Sequence, residues 1–332
     1  MSVNTSIGLI AVSKQDGKSN PASEPSFQHG LTGGQVFKLD RTVENANVSC
    51  GVRSGTDSYV DSIGTGVDFE TYGYSDVVPL YYYGALGNIV SSEADGKPGL
   101  HRHVATMGDS LPYLTFWGRI GNEFTRTDSC KIDQLEMEFE GNKPLSFGVT
   151  AVGMGAALGL DSIPGASDPS CFDGYFVPTG GTFKIDTASS APVEAPVLKG
   201  SLALANSCET SQLAGQITPG AVDEGKLKCS GSVTVKPDDL TPYKQMVTGS
   251  ASGRTPTGTM VYGSFEWTFR HSRNPDHTLS ISSGRVPFTC DFPEVNPDGG
   301  AAELEFSFDD IGVDTRDGSP VTVVVVNATE SY

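Results

Sequence analysis

Apolar and polar residues alternate with a period of two along much of this chain, most clearly over Lys131–Met154. There Leu135, Met137 and Phe139 interleave with Glu136, Glu138 and Glu140. After Gly141–Asn142–Lys143–Pro144 the pattern resumes, with Leu145, Phe147, Val149 and Ala151 set against Ser146, Gly148 and Thr150. A period of two sends the two sets to opposite faces of a strand, and Gly, Asn and Pro are turn formers. The stretch therefore predicts a β-hairpin with one core face; its other face is acidic on the first strand and small and uncharged on the second. Further strands are predicted at Leu9–Val12, Gln35–Leu39, Leu111–Arg119, Gly181–Ile185, Gly200–Ala205, Lys226–Lys236, Met260–Arg270, Thr278–Ser282, Ala302–Phe308 and Pro320–Val326. Only two short helices are expected. Asp76–Gly87 has Asp76 as N-cap, a proline in the first turn and a glycine stop, and Asp239–Gly249 repeats that plan.

These elements predict a mainly β chain organised as an arm at 1–40, a first β unit at 41–155, a crossover at 156–180 and a second β unit at 181–332. Residues 41–70 read as a long polar hairpin or loop, and the segment through His103 as a loop. Asp76-Val-Val-Pro79 and Asp239-Leu-Thr-Pro242 open the two helices alike, and a tryptophan strand follows each, with Trp117 and Trp267. Leu304, Phe306 and Phe308 alternate with Glu303, Glu305 and Ser307, a second acidic strand. Two explanations stand side by side: a degenerate tandem duplication of one unit, or shared turn chemistry. The Val321–Val326 run is nearly all valine, so it must be central in a sheet or paired with another subunit.

Composition adds to this picture. The chain has 332 residues, with 40 glycines, 20 prolines and only 19% charged residues, which suits a turn-rich β protein. The formal charge is −18, with an acidic excess in both halves. That excludes a stable nucleic-acid binder, which needs a basic surface to neutralise phosphates. Six cysteines lie far apart with no C-x-x-C pair, so free buried thiols are expected. The first residues lack the basic and apolar segments of a signal peptide, so synthesis in a reducing cytoplasm is the expectation. No apolar run is long enough to span a membrane.

Candidate chemistry is sparse. His101-Arg102-His103 with Asp109 lacks a third ligand at a fixed spacing, so no metal site is expected. Gly153-Met-Gly155-Ala-Ala-Leu-Gly159 follows a strand, but Asp161-Ser-Ile-Pro-Gly165 breaks the helix a dinucleotide site requires, so no cofactor is expected either. No nucleophile elbow, P-loop or His-Glu-x-x-His is present, and the glutamates of a single strand do not make an acid/base pair across a cleft. The expectation is no enzyme and no catalytic residue.

Gly8-Leu-Ile-Ala-Val-Ser-Lys-Gln15, the Pro/Ala/Ser linker after it, Gly30-Leu-Thr-Gly-Gly34, Ala85-Leu-Gly87, the His-x-His loop, Leu114-Thr-Phe116 and Lys131–Met154 follow one another along the chain. In that order these stretches resemble the major tail (tail tube) proteins of tailed bacteriophages. The resemblance implies a tail-tube-type β-sandwich or barrel with short flanking helices, in a structural virion protein of the phage tail assembled in the host cytoplasm. Such subunits close into rings with a central channel, six copies or three if the chain is duplicated. The rings stack through N-terminal arms and a long loop. Implied partners are the tape-measure protein, tail terminator and distal tail proteins, and double-stranded DNA in transient, non-specific passage, with no membrane binding. On this chain the channel would be lined by Glu136, Glu138 and Glu140, with Glu303 and Glu305 as second-half counterparts. The arm would make inter-ring contacts through Leu9, Ile10, Val12, Phe27 and His29, ordering as rings stack. The alternative is a secreted or cell-surface β-sandwich adhesin or carbohydrate-binding module, for which Asn4, Asn47 and Asn327 are glycosylation sequons.

Overall fold

The computed structural model describes residues 4–46, 57–165, 173–188, 192–293, 300–314 and 318–332; Asn47, Cys50 and Cys171 lie outside the described residues. The first strand of the predicted hairpin is longer than its alternation shows. It is β8, Glu123–Glu140, and it bends at Ser129, a non-glycine residue with φ of 55°. The bend is held from a distance: Gln15 Oε1 accepts the Ser129 N–H at 2.6 Å, and the Ser129 hydroxyl donates to the Lys18 carbonyl.

Before the bend, β8 pairs with β7 (Leu114–Ile120) and β10 (Gly155–Leu160). Past it, β8 pairs with β9 (Ser146–Gly153) and β13 (Val197–Ala205). One strand thus serves two regions of a single sheet. The first region continues from β7 to β1 (Gly8–Lys14) and β2 (Phe27–His29). The second runs β19 (Leu304–Phe308), β16 (Lys228–Val235), β13, β8, β9, β4 (Asp57–Tyr72) and β3 (Gly33–Ala46). Facing it is a sheet ordered β12 (Val193–Glu194), β11 (Phe176–Asp186), β17 (Gly263–His271), β18 (Thr278–Val286), β20 (Thr322–Asn327), β6 (His101–Met107) and β5 (Gly87–Glu93). A small ribbon, β14 (Glu209–Ser211) with β15 (Ala221–Asp223), stands apart. The sheets stay open; none closes into a barrel within the subunit.

The core lies between the sheets. Leu135, Met137 and Phe139 of β8 meet Phe265, Trp267 and Phe269 of β17 in one continuous cluster with Leu279, Ile281, Val323 and Val325. Phe139 stacks on Phe183 at 5.1 Å and meets Trp267 and Phe269 edge-on at 5.3 and 5.2 Å. The valine run resolves as β20, central between β18 and β6. Helix α1, Val78–Leu86, is apolar all round and is therefore buried against β8, β6 and β5 rather than flanking the sandwich. Its N-cap is Val77, not Asp76, and Gly87 closes it in the left-handed conformation by donating its N–H to the Tyr83 carbonyl. Gly84 lets it approach so closely that a Cβ there would lie 2.6 Å from Ile132 Cδ1. Helix α2, Thr241–Thr248, buries none of its residues and does flank the fold.

Five expectations are corrected. The segment through His103 is a strand, β6, and the crossover contains β10 and the start of β11. Trp117 and Trp267 are not counterparts, because β7 and β17 belong to different sheets. The units at 41–155 and 181–332 share both sheets: β13, β16 and β19 extend the β8 sheet, while β5 and β6 join β20. Most consequential is the arm. β1 lies between β7 and β2, and Ile10, Ala11 and Val12 are fully buried. Ile10 and Val12 enter the main core, whereas Ala11 packs with Trp117 and Ile163 on the opposite face. A continuous apolar run such as Leu9–Val12 is what a strand covered on both faces needs. Ile10, Val12 and His29 therefore have no surface to offer another ring, and Leu9 and Phe27 are half-buried.

His29 sits in the core, with Nδ1 2.8 Å from the Gly30 carbonyl and Nε2 against the Tyr81 hydroxyl. The geometry suits a neutral ring: Nδ1–H donates to the carbonyl, and Nε2 accepts from Tyr81. Burial pushes this imidazole from an ordinary value of 6.5 down to about 4. The unfolded chain takes up the proton near pH 6.5 and the folded one only near 4, so stability is full above that window and falls as the pH drops through it. The whole shift corresponds to about 3 kcal/mol. Urea midpoints measured from pH 7 to 4 are expected to fall, and less steeply in His29→Gln. Part of the slope left in that variant belongs to His103, His271 and His277, which burial also lowers, and toward pH 4 part belongs to the carboxylates of Glu140, Glu224 and Asp239, which are held low.

Candidate functional site

The outer face of the β19-to-β3 region is built by register. Directly opposed residues in an antiparallel pair share a face, so the pairings read as rows across the sheet. One row runs Tyr72, Ser146, Glu138, Ser201, Ser232, Ser307. The next runs Glu70, Gly148, Glu136, Ala203, Ser230. A third joins Glu140, Lys199, Thr234 and Glu305, and a fourth joins Asp68, Thr150 and Gln134. Apart from Tyr72, the side chains between the charged positions are small, polar or absent. The result is a hydrated face studded with carboxylates.

The predicted residues come together here in part. Glu136, Glu138 and Glu140 are all exposed on β8, and Glu305 is exposed on β19. Two strands separate β8 from β19, so the two acidic strands are about 14 Å apart. Glu303 is exposed just before β19 begins. Asp68 and Glu70 join the same face and were missed, although Val67-Asp68-Phe69-Glu70-Thr71-Tyr72 alternates as plainly as β8. Glycine at 64 and 66 had masked a strand that runs to Tyr72.

Local partners are few. Gln134 Nε2 donates to Glu136 Oε1 at 2.5 Å, Thr150 donates to Asp68 at 3.2 Å, and Lys143 pairs with Glu140. The Lys143 ammonium holds the Glu140 carboxyl below the usual carboxylate range. At the margin Lys228 pairs with Asp309 at 2.7 Å. An open depression of about 540 Å³ lies on this face, lined by Glu138, Glu140, Lys143, Lys199, Ser201 and Ser232. Its lining is carboxylate, ammonium and serine hydroxyl, with no imidazole or thiol among the residues around it.

The histidine pair goes elsewhere. His103 bonds Ser91 at 2.8 Å and Asn327 at 3.0 Å, and Tyr332 packs edge-on to it at 4.7 Å. It fastens the C-terminal residues to β6. Among the described residues, no group of three His, Cys, Asp or Glu side chains is placed to hold a metal ion. Cys130 and Cys229 are buried, Cys208 and Cys290 are half-buried, and all four are free. Asn327 is buried too, donating to Ser75 and Tyr332, which leaves no room for a glycan.

A family model described as phage tail tube protein matches residues 4–309, from before β1 to the residue after β19. The chain belongs to the phage tail tube protein family. No curated protein matches it. As a tail tube family member it is a structural component of the virion tail, assembled in the host cell. The family match and the buried Asn327 together decide against the secreted adhesin. The matched stretch includes both the buried β1 and the whole acidic face.

Proposed function

We propose that copies of this tail tube protein close into rings with the β19-to-β3 face inward, and that the stacked rings conduct DNA during ejection. The observation that carries this is the face itself: carboxylates at Asp68, Glu70, Glu136, Glu138, Glu140 and Glu305, separated mostly by serine, threonine, glycine and alanine. Duplex DNA bears a negative charge every ~1.7 Å, so an acidic wall repels it and a basic one would hold it. Screening acts over about 8–10 Å, so the repulsion is felt close to the wall, where sticking would otherwise begin. The role is mechanical and electrostatic rather than catalytic. A tape-measure protein would occupy the channel before DNA does, with tail terminator and distal tail proteins at the two ends.

Stacking passes from the arm to the β3–β4 hairpin. Beyond Thr65 this ribbon leaves β9 and pairs mainly with itself, down to Ala46 and Asp57. Leu39, Ile63, Val43 and Val60 lie on one of its sides by register, with Arg41 among them, and Val43 is 54% exposed. A two-stranded ribbon is marginal alone, so a side with four exposed or half-exposed aliphatic residues around one arginine needs cover from the next ring. Negative-stain microscopy of the purified chain is the direct test. Rings or tubes with a central hole are expected, and monomers that never assemble under any solution condition would overturn the proposal.

A further inference from the structure

The β3–β4 ribbon has a neighbour at the point where it leaves the sheet. β9 covers the outer edge of β4 as far as Thr65, which stands opposite Gly153. There the Met154 N–H turns to the Asp128 carbonyl at 3.1 Å, and the chain continues into β10. Two residues beyond Thr65 on that edge, the Ile63 N–H donates to the Ile217 carbonyl at 2.9 Å. Ile217 belongs to the 207–224 insert between β13 and β16, the segment that carries the β14–β15 pair. It takes the place beside β4 that β9 has vacated.

The insert is firmly built at its base. Its ends meet where the Gly225 N–H donates to the Asn206 carbonyl at 2.8 Å, and Ser207 takes a left-handed φ of 49° as the chain leaves β13. Asn206 is buried and donates to the Ala85 carbonyl of α1 at 3.0 Å and to the Ile132 carbonyl of β8 at 2.9 Å. Asp133 accepts the Cys208 N–H at 2.7 Å. Glu224 pairs with the largely buried Lys131 ammonium and accepts the Leu111 N–H at 3.3 Å. From this base β14 and β15 pair in register, with Val222 buried. The tip closes on itself, Gln216 N–H to the Leu213 carbonyl at 3.0 Å and Gln212 Nε2 to the Gln216 carbonyl at 2.6 Å.

What the tip brings to the ribbon is backbone. Leu213 and Ile217 keep 50 and 53% of their surface exposed. An open groove of about 490 Å³, lined by Lys18, Asp128, Ser129, Leu213 and Gln216, lies between the tip and the bend of β8. The tip is thus held out from its base rather than packed down on β8. A two-stranded ribbon is marginal alone, so a fixed acceptor at its root decides the direction in which it leaves.

We propose that the 207–224 insert is a strut: anchored on β8, on α1 and at Leu111, it presents the Ile217 carbonyl to Ile63 and fixes where the free part of the β3–β4 ribbon begins and where it points. The strut is a property of the single subunit. Its use rests on the stacking reading above: a ribbon already set in direction meets the next ring without first being ordered.

The test is hydrogen exchange of the unassembled full-length chain, read in the ribbon at 39–46 and 57–63 and, for reference, in β17, β18 and β20. In one variant Asn-Gly replaces residues 212–220, closing β14–β15 as a two-residue hairpin and removing the carbonyl. In a second, Ile63→Pro removes the N–H, which is spent on Ile217 rather than on β3. Each is expected to speed ribbon exchange about five- to tenfold, the worth of one hydrogen bond, with the reference strands unchanged. Both remove the same bond, so the two changes combined are expected to add nothing to either alone. Ile217→Ala keeps the carbonyl and is expected to exchange as the unaltered chain does. Ribbon exchange unchanged in both variants overturns the strut, and so do effects that multiply in the combined variant. Reference strands that speed up as much as the ribbon overturn it too, because the insert then serves the whole fold. Should the shortened chain not fold, Ile63→Pro against Ile217→Ala decides by the same criteria. Tube formation separates the two readings: a loosened ribbon that assembles at an unchanged protein concentration leaves the strut standing and overturns the ribbon as the stacking element.

Discussion

Replacing Glu136, Glu138 and Glu140 together with lysine is expected to leave assembled tubes through which DNA passes far more slowly. The three side chains are exposed on the outer face of β8, and among the described residues their hydrogen-bond and ion-pair partners are Gln134 and Lys143, so the fold does not depend on them. The wall charge of each copy would shift by about +6, three carboxylates being lost and three ammonium groups gained, and the change repeats around every ring. Basic side chains on phosphates release counterions, so the slowing should be relieved steeply between about 50 and 200 mM salt. Replacement by glutamine, which removes the carboxylates without adding cations, should fall in between. The measurement is the rate of DNA release from particles carrying the variant tube. A rate equal to that of the unaltered particle would show that this face does not line the channel.

The second large effect concerns the first thirty residues. Deleting residues 1–30 is expected to prevent folding, not merely stacking. The deletion removes β1 and β2, and with them Ile10, Val12 and His29 from the core and Ala11 from beside Trp117. Truncating a single buried Ile or Leu costs about 2–5 kcal/mol, and a domain has only about 5–15 kcal/mol to lose. The bend at Ser129 would also lose Gln15, its hydrogen-bond acceptor. A milder variant, Val12→Ala, should fold with its midpoint shifted by the equivalent of about 1–3 kcal/mol. Circular dichroism of the deletion would settle the matter: a cooperative melt near that of the full chain would place β1 outside the core.

The arm's place in the core is invisible from its own sequence for a physical reason. Leu9–Val12 is a run of four apolar residues between Gly, Ser and Pro punctuation, and by itself such a run marks either a loose segment or a strand covered on both sides. Its covers, β7 and β2 at its edges and Ile163 over one face, lie up to about 150 positions away in the chain. The strand at His103 is hidden in the same way. Its partners Ser91 and Asn327 come from separate parts of the sequence.

What the sequence by itself determined was the local grammar: mainly strands, two short helices closed by Gly87 and Gly249, and an acidic face on β8. These follow from side-chain period and turn chemistry, which act over a few residues. Only the tertiary structure decided which strands stand beside β8. It brought Asp68, Glu70 and Glu305 onto the face of Glu136, Glu138 and Glu140, and made β1 a core strand. Strand pairing joins positions tens to hundreds of residues apart, so neither the neighbour of an edge nor the cover of a face is written in the alternation of any one strand.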